Sequence, residues 1–285
     1  MMRAMFSAIS GLQVHQTMLD VAANDVANVN TVGFKGEVTT FKDALSQLQR
    51  GAAGPSTGLG GTNAIQVGLG VQLGAIGNDM GAGATQQTGN PLDLAVQGDG
   101  FFRVGPASVI GSGGGYSYTR AGNFGLDSAG NLVTSDGSFV IGYGYNAGGA
   151  NFPVATANET KITVPAGGKD VTIGSDGVVS YVDAAGVVQK LAQISMAKFP
   201  NGAGLERISG NLYAQSNNSG APANAVPGDA ATGMGTLQAG AVEMSNVDLA
   251  KEFTTMITAQ RGYEANSRVI SMADEILQNL VNIGR

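Results

Sequence analysis

The residues able to do chemistry are few and scattered. His15 is the one histidine among 285 residues, and cysteine is absent, which excludes disulfides, Cys-ligated zinc and thiol catalysis. His15 stands on a helix flank with no sulfur ligand to share a metal, and a solvated or packing role fits it better. Asp127, Asn131 and Asp136 offer oxygen ligands of the kind calcium takes. Their spacing matches no EF-hand loop and suits hairpin turns instead. Asp93 and Asp99 could be set as a hydrolase pair, although scattered carboxylates in an antiparallel β region usually serve turns or surface. Gly68-Leu69-Gly70 and Gly98-Asp99-Gly100 echo phosphate loops, yet neither opens a helix and neither is followed by Lys-Ser/Thr. Tyr116, Tyr118, Tyr143 and Tyr145 could form a sugar-binding face or simply pack a strand face. Asn158-Glu159-Thr160 and Asn217-Asn218-Ser219 match the glycosylation pattern, as many surface loops do. No catalytic, cofactor or metal site is expected.

The strongest pattern is structural and lies at the two chain ends. In the last forty-odd residues Leu249, Met256, Tyr263, Ile270 and Leu277 recur every seven positions. Asn246, Phe253, Gln260, Ser267, Asp274 and Val281 fill the companion register. That is a heptad with a regular apolar d position and a mostly polar a position, and such a stripe needs a partner helix. Ser245-Asn246-Val247-Asp248 supplies an N-cap region, with Asp248 and Glu252 at the positive end of the helix dipole. Gly262 is the weak residue within the stripe, costing roughly 1 kcal/mol against Ala. Residues 2–29 repeat the design: Met5, Leu12, Leu19 and Val26 at d, Met2, Ile9, Gln16 and Ala23 at a. The two ends are therefore expected to pack on each other or on copies of themselves. The assembly contacts expected from these stripes are Met5, Ile9, Leu12, Leu19, Val26, Leu249, Phe253, Met256, Tyr263, Ile270 and Leu277.

Between the ends the character changes. Asn28 to Lys35 carries turn chemistry. Phe41, Ala44, Leu45 and Leu48 suggest one short amphipathic turn, and residues 51–63 form a Gly-rich connector. From about Ile65 to Met196 strand-like runs alternate with Gly, Asn and Asp punctuation, which reads as antiparallel hairpins. Turns are expected at 97–100, 127–131, 174–177 and 183–186. Residues 200–236 return to Gly, Pro and Asn, with Leu205, Ile208, Leu212 and Tyr213 as possible anchors. The fold class expected is α+β: N- and C-terminal helices forming a coiled-coil-like core, with a middle antiparallel β domain. The expected divisions are an N-terminal core helix over 1–30, a connector loop over 31–64, a β domain over 65–240 and a C-terminal core helix over 241–285.

Composition narrows the partners. A net charge of −6 with no basic stripe argues against nucleic acid. No apolar run approaches the roughly 18 residues of a membrane span. Met1 to Phe6 starts like a signal peptide, but Ser7, Ser10, Gln13, His15 and Gln16 interrupt the apolar core such a peptide needs. A cleaved secretory signal is not expected.

Three runs carry a family resemblance. Ser10-Gly11-Leu12, then Leu19 through Asn28, Thr31, Gly33, Phe34 and Lys35, resembles the N-terminal signature of bacterial flagellar rod and hook proteins. Ser245-Asn246-Val247-Asp248-Leu249, Glu252, Met256-Ile257, Gln260-Arg261, Tyr263, Asn266 and Leu277 resembles the same family's C-terminal signature. Thr88 to Val96, continuing through Gly98-Asp99-Gly100-Phe101-Phe102, is similar to a third, internal one. Asp25 departs from the pattern, where the family usually has a second Asn, and puts a charge beside the turn.

Within the family, Gly60-Gly61-Thr62-Asn63, Gln66 to Val71 and the ending of the chain look like the hook version. The 88–102 segment and the length look as much like the distal rod, with only a short insertion over 146–190 where most hook proteins carry a larger one. The hook is the expectation and the distal rod the alternative. The resemblance implies a structural subunit polymerised as a helical tube, its terminal helices lining a central channel and its β domain outside. A hook tube acts as a universal joint, passing torque from rod to filament. Partners implied are further copies of the chain, the rod, hook-cap and hook–filament junction proteins, and the flagellar type III export apparatus. Such subunits reach the extracellular flagellum without signal cleavage, and the terminal stripes are expected to stay unfolded until assembly covers them. A β-rich enzyme or carbohydrate-binding module would use the same hairpins and is the rival class.

Overall fold

The computed structural model describes residues 2–55, 58, 60–111, 114–144 and 159–283. They fall into two compact units. One comprises residues up to 27, 37–77 and from 248 on; the other comprises 28–36 and 78–247. The class is the expected one, with terminal helices and an antiparallel β middle.

The first unit is built on α1 (Met2–Ala27) and α2 (Leu249–Ile283). Asp248 caps α2: its Oδ1 accepts from the backbone N–H of Ala250 at 2.8 Å and of Lys251 at 3.4 Å. The helices pack on each other, but not through the faces their large apolar residues mark. Buried in α1 are Ala8, Gly11, Val14, Ala22 and Asp25; buried in α2 are Ala259 and Ala273. A Cβ on Gly11 would lie 2.7 Å from Asn266 Nδ2, and one on Gly262 would lie 2.5 Å from the His15 ring. Residue 11 facing 266 and residue 15 facing 262 make the pair antiparallel.

Each glycine thus gives up a side chain so that a polar group of the other helix can lie flat on its backbone. His15 also meets the Phe41 ring edge-on at 6.0 Å. Gly262 is a requirement of the contact, and its helix-propensity cost is offset there. Gly262→Val is expected to destabilise the helix pair by about 1–3 kcal/mol through overpacking, read as a lower midpoint in the thermal loss of helical circular dichroism.

The same unit carries a two-stranded ribbon. β1 (Glu37–Asp43) pairs with β4 (Val71–Asn78), and β2 (Ser46–Arg50) pairs antiparallel with β3 (Ile65–Gly68). The bonds Ala44 N–H to Gly70 O, 2.9 Å, and Leu69 N–H to Leu45 O, 3.0 Å, carry the pairing across the break between them. The amphipathic turn expected at Phe41, Ala44, Leu45 and Leu48 is therefore strand, and the expected connector loop over 31–64 contains β1 and β2. β-Branched Val38, Thr39 and Thr40 favour the extended form, and a partner strand some thirty residues downstream fixes it. Asp25, the departure from the family pattern, is buried, and its Oδ2 accepts the backbone N–H of Glu37 at 2.9 Å. The carboxylate ties α1 to the first residue of the ribbon.

In the second unit, β5 (Thr85–Gln87) pairs with Ala241–Glu243 and β6 (Leu94–Gln97) with Thr236–Ala239. The main sheet runs in the order Lys169–Ile173, Val178–Val182, Val188–Ile194, Phe139–Gly144, β7 (Phe101–Gly105), β8 (Ser117–Thr119), Leu212–Ala214 and Glu206–Arg207. The hairpins expected about 127–131, 174–177 and 183–186 are present. The one expected about 97–100 is not, because β6 and β7 pair with other strands. Gly98 and Gly100, at φ +104° and +131°, turn the chain out of hairpin geometry. β7 is buried on both faces. Phe102 and Val104 enter one core with Leu94, Phe124, Val140 and Met196. Phe101 enters a second with Tyr118, Ile141, Phe199 and Tyr213. Part of the insertion expected over 146–190 lies outside the described residues.

Candidate assembly site

Two arrangements could serve function: apolar faces in the first unit and charge clusters in the second. Along α1, Met5, Leu12, Leu19 and Val26 are half-buried and Ile9 is exposed. Along α2, Met256, Ile270 and Leu277 are half-buried flanks of the seam, while Leu249, Phe253 and Tyr263 are 41%, 51% and 40% exposed. The expected contact residues therefore line the outer and flanking faces, and small residues fill the seam itself. The ribbon adds Leu45, 79% exposed, with Leu48, Ile65 and Ile76. An isolated two-stranded ribbon is marginal in water, and exposed apolar side chains along one point to a surface that is covered by a partner.

The N- and C-terminal signature residues meet inside the second unit. Thr31 Oγ1 donates to Asn28 Oδ1 at 3.1 Å, closing the turn after α1. The Gly33 N–H donates to Glu243 O at 2.7 Å. Phe34 is buried with the Arg207 guanidinium 4.6 Å above its ring, and Arg207 also donates to Lys35 O. Lys35 is fully buried; its Nζ donates to Glu243 Oε1 at 2.6 Å and to Gly81 O at 2.7 Å. Arg120 reaches Glu243 Oε2 at 3.2 Å and Gly98 O at 3.0 Å. Burial pushes the Lys35 ammonium below its ordinary value, against the hydrogen bond and charge of Glu243. Asn246 Oδ1 accepts the Gly36 N–H at 2.9 Å, and its Nδ2 donates to Asp79 O at 2.9 Å. Gln260 and Arg261, the remaining signature residues, are exposed on α2.

A second cluster lies at β7. Arg103 donates to Glu159 Oε1 at 2.7 Å and to Ser195 Oγ at 2.9 Å, and it stacks on Tyr116 at 4.1 Å. The Tyr116 hydroxyl donates to Glu159 Oε2 and accepts the Gly111 N–H at 3.1 Å. Burial, then the bond to Glu159, pushes the Tyr116 phenol up to about 12. The folded state holds that proton more tightly than the unfolded chain, so the contribution is whole below pH 10 and is lost as pH rises through 12. Denaturant unfolding is expected to show the wild type losing on the order of 2 kcal/mol more than Tyr116→Phe between pH 10 and 12.

In both clusters carboxylate and cation are bonded to each other, and in the first the cations also reach backbone carbonyls, which holds segments together. The residues first singled out for chemistry do structural work. Asp93 accepts from Thr88 at 2.6 Å and Asn90 at 3.1 Å, whereas Asp99 pairs with Lys198 at 2.9 Å. Asp127 accepts from the N–H groups of Ala129 and Asn131 and from Asn131 Nδ2. Tyr116, Tyr118 and Tyr143 are buried; Tyr145 and Asn158 lie outside the described residues. In Asn217-Asn218-Ser219 the serine is buried. Sequence reasoning missed Glu243, Arg120, Arg103 and Glu159. The available signal was a charge inside an apolar strand, as in Phe101-Phe102-Arg103-Val104 and Ala241-Val242-Glu243-Met244, since a buried charge demands a partner.

Two terminal helices that pair and bracket in sequence an antiparallel β unit are the organisation that the family resemblance implies. Three family profiles match the chain: the flagella basal body rod protein over residues 5–35, the flagellar hook protein FlgE/F/G D1 domain over 95–181, and the flagellar basal body rod FlgEFG protein C-terminal region over 238–283. The flagellar basal-body rod protein FlgG of Bacillus subtilis is 48% identical, with both chains covered in full. That of Caulobacter vibrioides is 38% identical over 97% of each chain. The flagellar hook protein FlgE of Treponema pallidum is 26% identical over an alignment of 471 positions that covers both chains in full. The chain belongs to the flagellar rod and hook protein family, a family of structural components of the flagellum. No described helix is long and apolar enough to cross a membrane.

Proposed function

We propose that the chain is a distal rod subunit, polymerising into the drive shaft of the basal body and acting without catalysis. The observation that carries the polymer is the placement of side chains on the terminal helices: small residues close the pair, and Phe6, Phe253 and Tyr263 are left in solvent. End-to-end similarity to basal-body rod proteins, against a hook relative whose alignment runs well beyond this chain, supports rod over hook. This reverses the expectation drawn from Gly60 to Val71 and the C-terminal ending. The short insertion over 146–190 agrees with it. The partners in this function are further copies of the chain, the rest of the rod, the hook it carries and the flagellar export apparatus, with export proceeding without signal cleavage. Deleting the gene and imaging basal bodies tests it: a rod truncated near the outer membrane is expected, and a complete rod lacking only the hook would refute it.

A further inference from the structure

In the first unit, the start of α2, the end of α1 and β1 enclose a groove of about 120 Å³. Met18, Val21 and Val38 give it apolar walls, and Glu252 lies within it. The Glu252 side chain makes no hydrogen bond or ion pair among the described residues. Its charged surroundings are Glu37 and Lys251 on the groove and Asp248 one turn back. Lys251 adjoins it without coming within ion-pair distance. Burial raises its carboxyl above the usual range, Asp248 adds to the shift, and Lys251 opposes it. A carboxylate held half out of water against methyl and thioether groups is stabilised by a cation. The space admits the end of one long side chain and is too small for a peptide.

The complementary charge is on the same helix. Arg261 follows Glu252 by nine residues, about 180° around α2, and Arg268 by sixteen, about 160° around. Both are exposed, and neither makes an ion pair among the described residues. Socket and plug thus sit on opposite faces of one helix. We propose that the Glu252 groove receives a guanidinium from the Arg261–Arg268 stripe of a second copy of this chain. Two copies cannot satisfy each other reciprocally through this contact; each copy filled on one side still offers its own plug on the other. The contact is heterologous and chain-extending, the kind that builds an open helical array. The inference rests on the homopolymer proposed above and names one of its contacts.

Charge reversal in the full-length chain tests it, with assembly read by sedimentation and electron microscopy. Glu252→Arg alone, and Arg261→Glu with Arg268→Glu, are each expected to lower the sedimented fraction by about tenfold or more. All three substitutions together are expected to restore it. The chain has no cysteine, so Glu252→Cys with Arg261→Cys is expected to give a ladder of disulfide-linked multimers when the assembled state is oxidised, where either substitution alone, with no thiol facing it across the contact, gives no ladder. Wild-type assembly accompanied by normal assembly of Glu252→Arg, or by no rescue and no ladder, overturns the pairing and leaves the polymer standing. Absence of assembly by the wild-type chain overturns both.

Discussion

Glu243→Ala is expected to cost the second unit about 3–5 kcal/mol, a large part of the stability of an ordinary domain. The carboxylate lies between two buried cations, Lys35 at 2.6 Å and Arg120 at 3.2 Å, and it also accepts the Gly83 N–H at 3.0 Å. Its removal leaves both cations in a place water does not reach, along with an amide that has lost its acceptor. Lys35→Met should be milder, because Arg120 and Glu243 remain a matched pair and the Gly81 carbonyl keeps a donor in Asn246 Nδ2 at 3.2 Å. The ordering separates charge balance from packing: a defect of packing alone would make the loss of the long lysine stem at least as costly. Urea unfolding followed by tyrosine fluorescence gives both values. An equal or reversed order would show that the cluster is not held by its charge. Motility should follow stability, with Glu243→Ala non-motile.

Phe253→Ser is expected to do the opposite, sparing the chain and disabling assembly. Phe253 is half exposed on α2, so its truncation should change unfolding by no more than about 0.5 kcal/mol. If assembly buries it, the lost contact is worth about 1.5–3 kcal/mol per subunit, which raises the critical concentration roughly ten- to hundredfold. Sedimentation across a concentration series reads that shift. Leu12→Asp and Leu277→Asp are less discriminating, since both residues are half-buried beside the seam and would act on the chain and on its assembly together. In the free chain, the amides of α2 should exchange with solvent faster than those of β7. α2 buries only Ala259 and Ala273, whereas every residue of β7 is buried.

The sequence made the helix pair legible but not its contact. Heptad counting weights side chains by size, so it finds Leu249, Phe253 and Tyr263. A seam of Ala8, Gly11, Ala259 and Gly262 gives no signal, because small residues matter there by letting backbones approach. The local hairpins at 127–131, 174–177 and 183–186 were legible because turn chemistry decides them. The pairing of β6 with Thr236–Ala239 was not, since its partner lies far along the chain and nothing local announces it. Lys35 and Asn246 were legible as signature residues, but the reason for them was not. They share the Gly81 carbonyl as an acceptor; Lys35 also holds the side chain of Glu243, and Asn246 also holds backbone atoms of Gly36 and Asp79, all of which only the folded chain brings together.

The two glycines of the helix pair carry one more consequence. α1 and α2 each contain a single glycine, and each lies under a bulky polar residue of the other helix, His15 over Gly262 and Asn266 over Gly11. Sliding the pair by one heptad would set His15 against Thr255 or Val269, and Asn266 against Ala4 or Met18. No other alignment offers a bare backbone beneath both. The pair is a combination lock with one setting. A subunit closed out of register would stand its helices apart and misplace every outward side chain. In the polymer proposed above, such a copy would present no surface that matches its neighbours.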